Sequence, residues 1–439
     1  MLDVLGDRTY RHLFLAQVIA LVGTGLATVA LGLLAFDLAG DRAGAVLGTA
    51  LAIKMIAYVA VAPVAGAFAE VLPRRAMLVT LDLVRAAVAL CLPFVTEIWQ
   101  VYVLIFVLQS ASAAFTPAFQ ATIPDVLPDE KDYTRALSLS RLAYDLESLV
   151  SPILAAALLT VISFHSLFAG TIFGFLASAA LVVSVTLPDH PARERRSIYQ
   201  RTTRGLRIYL ATPRLRGLLA LCFTVSAAGA MVIVNTVVFV QAEFGLSASD
   251  TAIALAAFGS GSMVAALTLP RLLDRMADRL VMLSGAALLG AGLVAIALVE
   301  TYEGLLALWF VLGLGYSVVQ TPSGRLLRRS AHPEDRPALF AAHFALSHAA
   351  WLVTYPLSGW LGATIGLSST ALVLALLAGI GLAAALALWR RADEVEIEHS
   401  HDDLADDDPH LREGQHRHGH SHAHAFMIDR LHPDWPRER

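Results

Sequence analysis

Stretches of eighteen or more mostly apolar residues recur from one end of this chain almost to the other. No other feature restricts the possible folds as tightly. Such a stretch is long enough to cross a bilayer as a helix, and helices and closed barrels are the structures that satisfy their backbone hydrogen bonds there. At about twenty residues per crossing, twelve spans are expected. They lie near 11–36, 43–69, 76–95, 98–122, 134–162, 165–187, 215–241, 248–272, 280–299, 304–322, 337–365 and 368–390. The expected class is an all-α membrane protein. Composition agrees, since only 15% of the 439 residues are charged, against about 25% in soluble domains. Cys91 and Cys222 both lie in apolar spans, which excludes a disulfide framework and any CxxC motif. The amino terminus runs straight into a full-length span with no cleavage site, so no cleaved signal peptide is expected.

The arginines orient the spans. Arg74 and Arg75, the run from Arg193 to Arg207, Arg271, Arg275 and Arg279, and Arg325, Arg328 and Arg329 all fall in alternate loops, while the opposite loops hold essentially Arg42. Under the positive-inside rule the arginine side faces the cytoplasm, with both termini, and an inner-membrane location follows. From Ala392 onward five basic and thirteen acidic residues give −8, leaving +4 on the rest of a chain whose total is −4. Body and tail are electrostatically different objects.

The longest internal connection, Pro188 to Arg214, is basic and divides six spans from six. The second six answer the first at an offset of 203 to 205 residues: Thr116-Pro117 against Thr321-Pro322, Pro128 against Pro333, Pro152 against Pro356. The expected organisation is therefore a six-helix half over 1–187, a linker over 188–214, a second half over 215–391 and a tail over 392–439.

With these features the chain resembles the major facilitator superfamily over residues 1–391. The loop Gly66 to Arg75, GAFAEVLPRR, is similar to that family's signature between its second and third helices: a glycine, an acid four residues later, then paired basics. The resemblance implies a charge latch from Gly66, Glu70, Arg74 and Arg75, repeated by Asp274 and Arg275. The sequence departs from the signature at Val71, where an arginine is usual, and at Pro73, where a glycine is usual. Proline before the paired arginines resembles the drug:proton antiporter-3 branch, which includes macrolide and siderophore exporters. Segments Ala121 to Pro152 and Phe344 to Trp360 look like the nickel-resistance exporters of NreB type, which carry a histidine-rich tail.

Ionisable groups inside a span cost about 2.5 to 3.5 kcal/mol at its centre and mark function by default. Lys54 falls roughly 22 Å along its helix from the arginine side, at mid-bilayer. In the fifth span Arg141 and Asp145 are four apart and share a face, whereas Glu147 points about 200° from Asp145. Either Arg141–Asp145 is a structural pair, with Lys54 answering an acid across the bundle, or Asp145 or Glu147 carries the coupling proton. Asp82 and Arg85, one turn apart, read as a structural pair. The eleventh span carries His343 and His348, candidate metal ligands that diverge by about 140° on an ideal helix, so one is expected in the pathway and the other bonded to a neighbour. His348 is the deeper. By the resemblance, the second and eleventh spans are neighbours, which would bring Lys54 towards His348. Polar residues Gln17, Thr24, Gln109, Thr116, Asn235 and Gln320 lie on spans that line the cavity in the resembled family. They either complete a coordination shell or bond neighbouring helices.

The tail places His416, His418, His420, His422 and His424 at every second residue, beside the acids Asp402 to Asp408. Imidazole suits nickel, cobalt, zinc and copper. With no apolar pattern to fold it, this segment is expected to be disordered without metal. The expected function is proton-coupled efflux of a divalent transition metal, nickel or cobalt, with that ion and protons as partners, a monomer in the lipid bilayer, no cofactor and no nucleic acid. Export of an organic drug or siderophore is the alternative; it calls for a roomy aromatic cavity, and no aromatic cluster is apparent on those spans. A membrane-bound metal sensor ranks last. GxxxxGK[ST], GxSxG and HExxH are all absent, which argues against an ATPase or hydrolase.

Overall fold

In the computed structural model, the described residues are 2–39, 43–69, 71–188, 198–389, 396–400, 417–418, 421–429, 431–432 and 435. Helices dominate: α1 Arg8–Ala39, α2 Ala43–Ala69, α3 Arg74–Cys91, α4 Ile98–Val126, α5 Glu130–Leu159, α6 Phe164–Val183, α7 Ile198–Ala211, α8 Pro213–Val237, α9 Ala248–Leu273, α10 Asp278–Ala295, α11 Tyr302–Gln320, α12 Ser323–Arg329, α13 Arg336–Ile365 and α14 Leu367–Leu388. Eleven helical segments among the described residues are long and apolar enough to cross a membrane. Twelve were expected from the apolar stretches. Helix α5, which coincides with the expected fifth span, is the one not among these eleven. Large apolar side chains such as Phe173, Leu376 and Leu51 point outward from the bundle, the arrangement a hydrocarbon solvent favours over water.

Local chemistry sets the helix ends. The Asp129 side chain accepts from the Lys131 and Asp132 backbone N–H groups and starts α5, and Glu97 with Gln100 forms a capping box on α4. Pro213 at the first position of α8 makes α7 and α8 separate helices. Gly366, at φ 81°, turns α13 into α14, a conformation L residues with a Cβ rarely adopt.

Packing falls into two groups. Helix α1 packs on α5 and α6, α2 on α4, and α3 on α4 and α6; α8 packs on α13 and α14, α9 on α11, and α10 on α11 and α14. The groups meet where α2 and α4 lie against α13 and α5 lies against α9. Helix α7, within the basic connection, was not expected. It is amphipathic, too short to span, and bridges α2 and α13.

The tail also departs from the sequence reading. Three short antiparallel strands, β1 Glu396–Ser400, β2 Arg417–His418 and β3 Ser421–Ala425, pair in the order β1-β3-β2, with His399 opposite His422. The expected disorder is therefore corrected for these residues. Backbone pairing between strands, a non-local contact, supplies the order that the missing apolar pattern does not. Beyond β3, Phe426 and Ile428 are buried against the second group of helices, and His432 is buried beside Phe426. His416 and His420 lie outside the described residues.

Candidate transport site

Between the two groups lies a cavity of about 420 Å³. Its polar wall includes Gln17 from α1, Lys54 from α2, Ser140 and Arg141 from α5, Gln320 from α11, and His343 and His348 from α13. Six aromatic residues, Tyr58, Phe119, Tyr133, Tyr144, Phe340 and Phe344, share the lining. This corrects the expectation that no aromatic cluster would form. The rings are far apart in sequence on α2, α4, α5 and α13, and only the packing of those helices gathers them.

Arg141 and Asp145 form an ion pair, and the pair does more than neutralise itself. Ser262 of α9 donates to Asp145 Oδ2 at 2.6 Å and accepts from Arg141 Nε at 3.2 Å, while the guanidinium carbon lies 4.8 Å from the Tyr316 ring centroid. The pair therefore ties α5 to α9 and α11. Glu147 is separate, with its carboxylate against Gly25 of α1, where an added Cβ would come within 2.7 Å of Oε1. Neither Glu147 nor Lys54 makes a direct ion pair among the described residues. Lys54 Nζ stands 5.5 Å from the Tyr58 ring centroid, and that ring meets His348 edge-on at 4.8 Å.

Both histidines of α13 line the cavity. Nδ1 of His348 stands 2.7 Å from the Phe344 carbonyl oxygen, one turn back, and Nδ1 of His343 stands 3.0 Å from the hydroxyl of Tyr209 on α7. Among the described residues no group of three or more His, Cys, Asp or Glu is arranged to hold a metal ion. The other polar candidates divide. Gln17, Thr116 and Gln320 line the cavity. Thr24 bonds its own helix, Gln109 accepts from Tyr58, and Asn235 is buried on Ser358.

One end of the cavity, the arginine-rich end, is sealed by contacts between the groups. Arg325 reaches Glu130 at 2.6 Å and donates to Thr134 at 2.7 Å, Arg328 reaches the Pro128 carbonyl, and Tyr133 donates to the Gly324 carbonyl at 3.3 Å. Asp125 binds Arg74 at 2.6 Å and also Arg336 of α13. Gly66 packs on Ala341 so closely that a Cβ there would stand 2.7 Å from the alanine's own. Arg75 is exposed, and Glu70 lies outside the described residues. The expected second latch is corrected: Asp274 and Arg275 are exposed and make no ion pair among the described residues. Asp278 takes that place, buried and bound to Arg329 at 2.7 Å and Arg325 at 3.2 Å. At an offset of 204 residues Arg74 maps on Asp278 and Asp125 on Arg329, so the same ion pair recurs with its signs exchanged. A search for like residues at like offsets passes over that inversion. Away from the cavity, Asp82 pairs with Arg85, accepts from Ser178 at 2.8 Å, and is enclosed by Phe115 and Phe175 around the guanidinium.

Apolar helices around a central polar cavity, sealed at one end by ion pairs between two helix groups, define a multi-pass membrane transporter. The chain matches the Major Facilitator Superfamily over residues 13–233 and 219–413, and it belongs to that superfamily. Its members are transporters and not enzymes. An uncharacterized MFS-type transporter of Bacillus subtilis, YfiS, is 28% identical over 27% of this chain and 28% of its own length. Macrolide efflux protein A of Enterococcus faecalis is 25% identical over 32% of this chain and 47% of its own length. The chain thus spans less than half of either relative in the matched region. The crystal structure of the human organic anion transporter TETRAN superposes with a TM-score of 0.75 at 13% identity, covering 86% of this chain and 99% of that one, which shows the common fold.

Proposed function

We propose that this transporter expels a divalent transition metal ion, nickel first and cobalt second, from the cytoplasm in exchange for protons. The observation that carries the reading is the cavity wall itself, where His348 and Lys54 both line the cavity and both stand against the Tyr58 ring. Imidazole and carboxylate bind either a proton or a metal, so protons arriving from outside displace the ion. Glu147, half-buried against Gly25 with no direct ion pair among the described residues, is the coupling carboxylate in this scheme. Arg141–Asp145 holds α5 on α9. The histidines of the tail, whose residues 399 and 422 are brought opposite each other, gather the ion before it enters.

In this reading the arginine-rich end and both termini are cytoplasmic in an inner membrane, α5 is the twelfth crossing, and halves 1–187 and 215–391 rock about the cavity in a monomer. The ion pairs at Asp125 and Arg325 then close the cytoplasmic side. A second reading, proton-coupled export of an organic compound, is favoured by the six aromatic rings and by the matched stretch of a macrolide efflux protein. A cavity of about 420 Å³ lies within the range of small-molecule sites, roughly 300–1,000 Å³. Expression in a metal-sensitive host, scored for tolerance to nickel, cobalt, zinc and a macrolide panel, separates the two. Protection against nickel that His348→Ala removes is the expected result; protection against macrolides alone would reverse the order.

A further inference from the structure

The two cavity imidazoles are held from behind by different partners, and each partner dictates which ring nitrogen keeps the proton. Phe344 offers His348 a carbonyl oxygen, which can only accept, so the proton sits on Nδ1 and Nε2 keeps a lone pair. His343 is the opposite case. Its Nδ1 faces the Tyr209 hydroxyl, and the two rings stack with centroids 5.8 Å apart. Tyr209 is 0% exposed, within an apolar cluster that includes Ile208, Leu215 and Cys222. Among the described residues this hydroxyl has one hydrogen-bond partner, the His343 nitrogen. A phenol proton left in such surroundings without an acceptor carries the full desolvation penalty. The hydroxyl therefore donates to Nδ1, and the neutral ring keeps its own proton on Nε2. The reverse arrangement, with Nδ1–H donating to the phenol oxygen, strands the phenol proton among hydrocarbon side chains.

We propose that Tyr209, on the short helix α7 of the connection, is a positioning residue that fixes His343 as the Nε2–H tautomer. The cavity then presents one imidazole lone pair, at His348, and one imidazole N–H, at His343. The two act unequally. A dication is coordinated through His348 and not through His343, which instead donates its Nε2–H to an oxygen acceptor in the cavity. The identity of that ion rests on the metal reading above; the assignment of the tautomer does not.

The test uses the full chain in lipid nanodiscs with ¹⁵N-labelled histidine side chains, His343 being assigned from its loss in His343→Gln. The expected signature in the unaltered protein is a protonated Nε2 and an unprotonated Nδ1 at His343, and the reverse at His348. Tyr209→Phe keeps the stacked ring and removes the donor, so His343 shifts to a mixture of tautomers while His348 stays unchanged. A proton on Nδ1 of His343 in the unaltered protein, or an identical His343 signature in Tyr209→Phe, overturns the proposal. Titration with Zn²⁺, a diamagnetic dication that also favours imidazole, is expected to shift Nε2 of His348 ahead of any change at His343, and simultaneous equal shifts also overturn the unequal roles. If neither ring responds to Zn²⁺ while the tautomers are as described, the role of Tyr209 stands and the metal cargo fails.

Discussion

Asp125→Asn removes the charge that joins the two helix groups at the arginine-rich end. The carboxylate sits between Arg74 of its own group and Arg336 of the other, with side-chain exposures of 12%, 7% and 14% respectively. Solvent screening is weak at that burial. A hydrogen bond to a charged group contributes about 1.5–3 kcal/mol, and asparagine keeps one acceptor oxygen but no charge. The Arg336 contact exists only while this end is closed, so its loss acts on the opening equilibrium and not merely on global stability. A coupling of that size corresponds to a shift of roughly 10- to 150-fold. An end held closed at about 100:1 would then approach even balance. The assay is the distance distribution between spin labels at Ala76→Cys and Ala277→Cys, both exposed at this end of the bundle. Exposed Cys91 is first replaced by serine, whereas Cys222 is buried. The expected outcome is a second, longer distance population in Asp125→Asn. Asp132→Asn serves as control, since its partner Arg135 lies on the same helix. An unchanged distribution in Asp125→Asn, or an equal response in the control, would refute the reasoning.

Three further outcomes are expected. Asp145→Asn breaks a buried pair from one side, a change that costs about 3–5 kcal/mol when the remaining charge is left uncompensated; because asparagine keeps an acceptor oxygen for Ser262 and Arg141, the melting temperature should fall by less than in Asp145→Ala, checked by thermal unfolding in detergent. Glu147→Gln should abolish proton-driven nickel uptake into everted vesicles while leaving nickel exchange down its own gradient, and proton-driven uptake that persists would remove Glu147 from coupling. The docked end of the tail should loosen as pH rises. Hydrogen bonding to Asp429 raises the His332 imidazole above its ordinary value of 6.5, against the opposing effect of burial. Burial alone would raise the Asp429 carboxyl, yet bonds from His332 and His432 hold it well below the usual carboxylate range. The histidine contribution is thus complete below 6.5 and is lost as pH climbs through the raised value; the carboxylate contribution fails only in strong acid. A spin label at exposed Leu431→Cys should gain mobility as pH rises above 6.5, and constant mobility would contradict this.

The span pattern was readable because lipid imposes a length and a polarity on every crossing, and that rule acts residue by residue. Helix α2 runs over 43–69 as expected, and the other spans end within a few residues of their apolar stretches. Arg141 and Asp145 were readable as a pair because a four-residue spacing places them on one helix face. Ser262 and Tyr316, which complete that network, carried no local signal; a serine and a tyrosine on distant helices gain meaning only when α5 meets α9 and α11. The six aromatic residues of the cavity were missed for the same reason, and the pairing of Arg74 with Asp125 was hidden by an inversion of charge between the repeats. Helix α7 showed too few apolar positions for a span, so the sequence offered no reason to place Tyr209 behind a cavity histidine.

What the sequence determined alone is whatever depends on local solvent and helical period: membrane residence, helix boundaries, the segregation of arginines to alternate loops, and the charges that require partners. Which partner each charge found, which ring nitrogen faces the cavity, and which end of the bundle is sealed were decided by tertiary packing. Such contacts join residues distant in the chain, Arg141 and Ser262 being 121 positions apart, and nothing in a window of neighbouring residues encodes the distance between them.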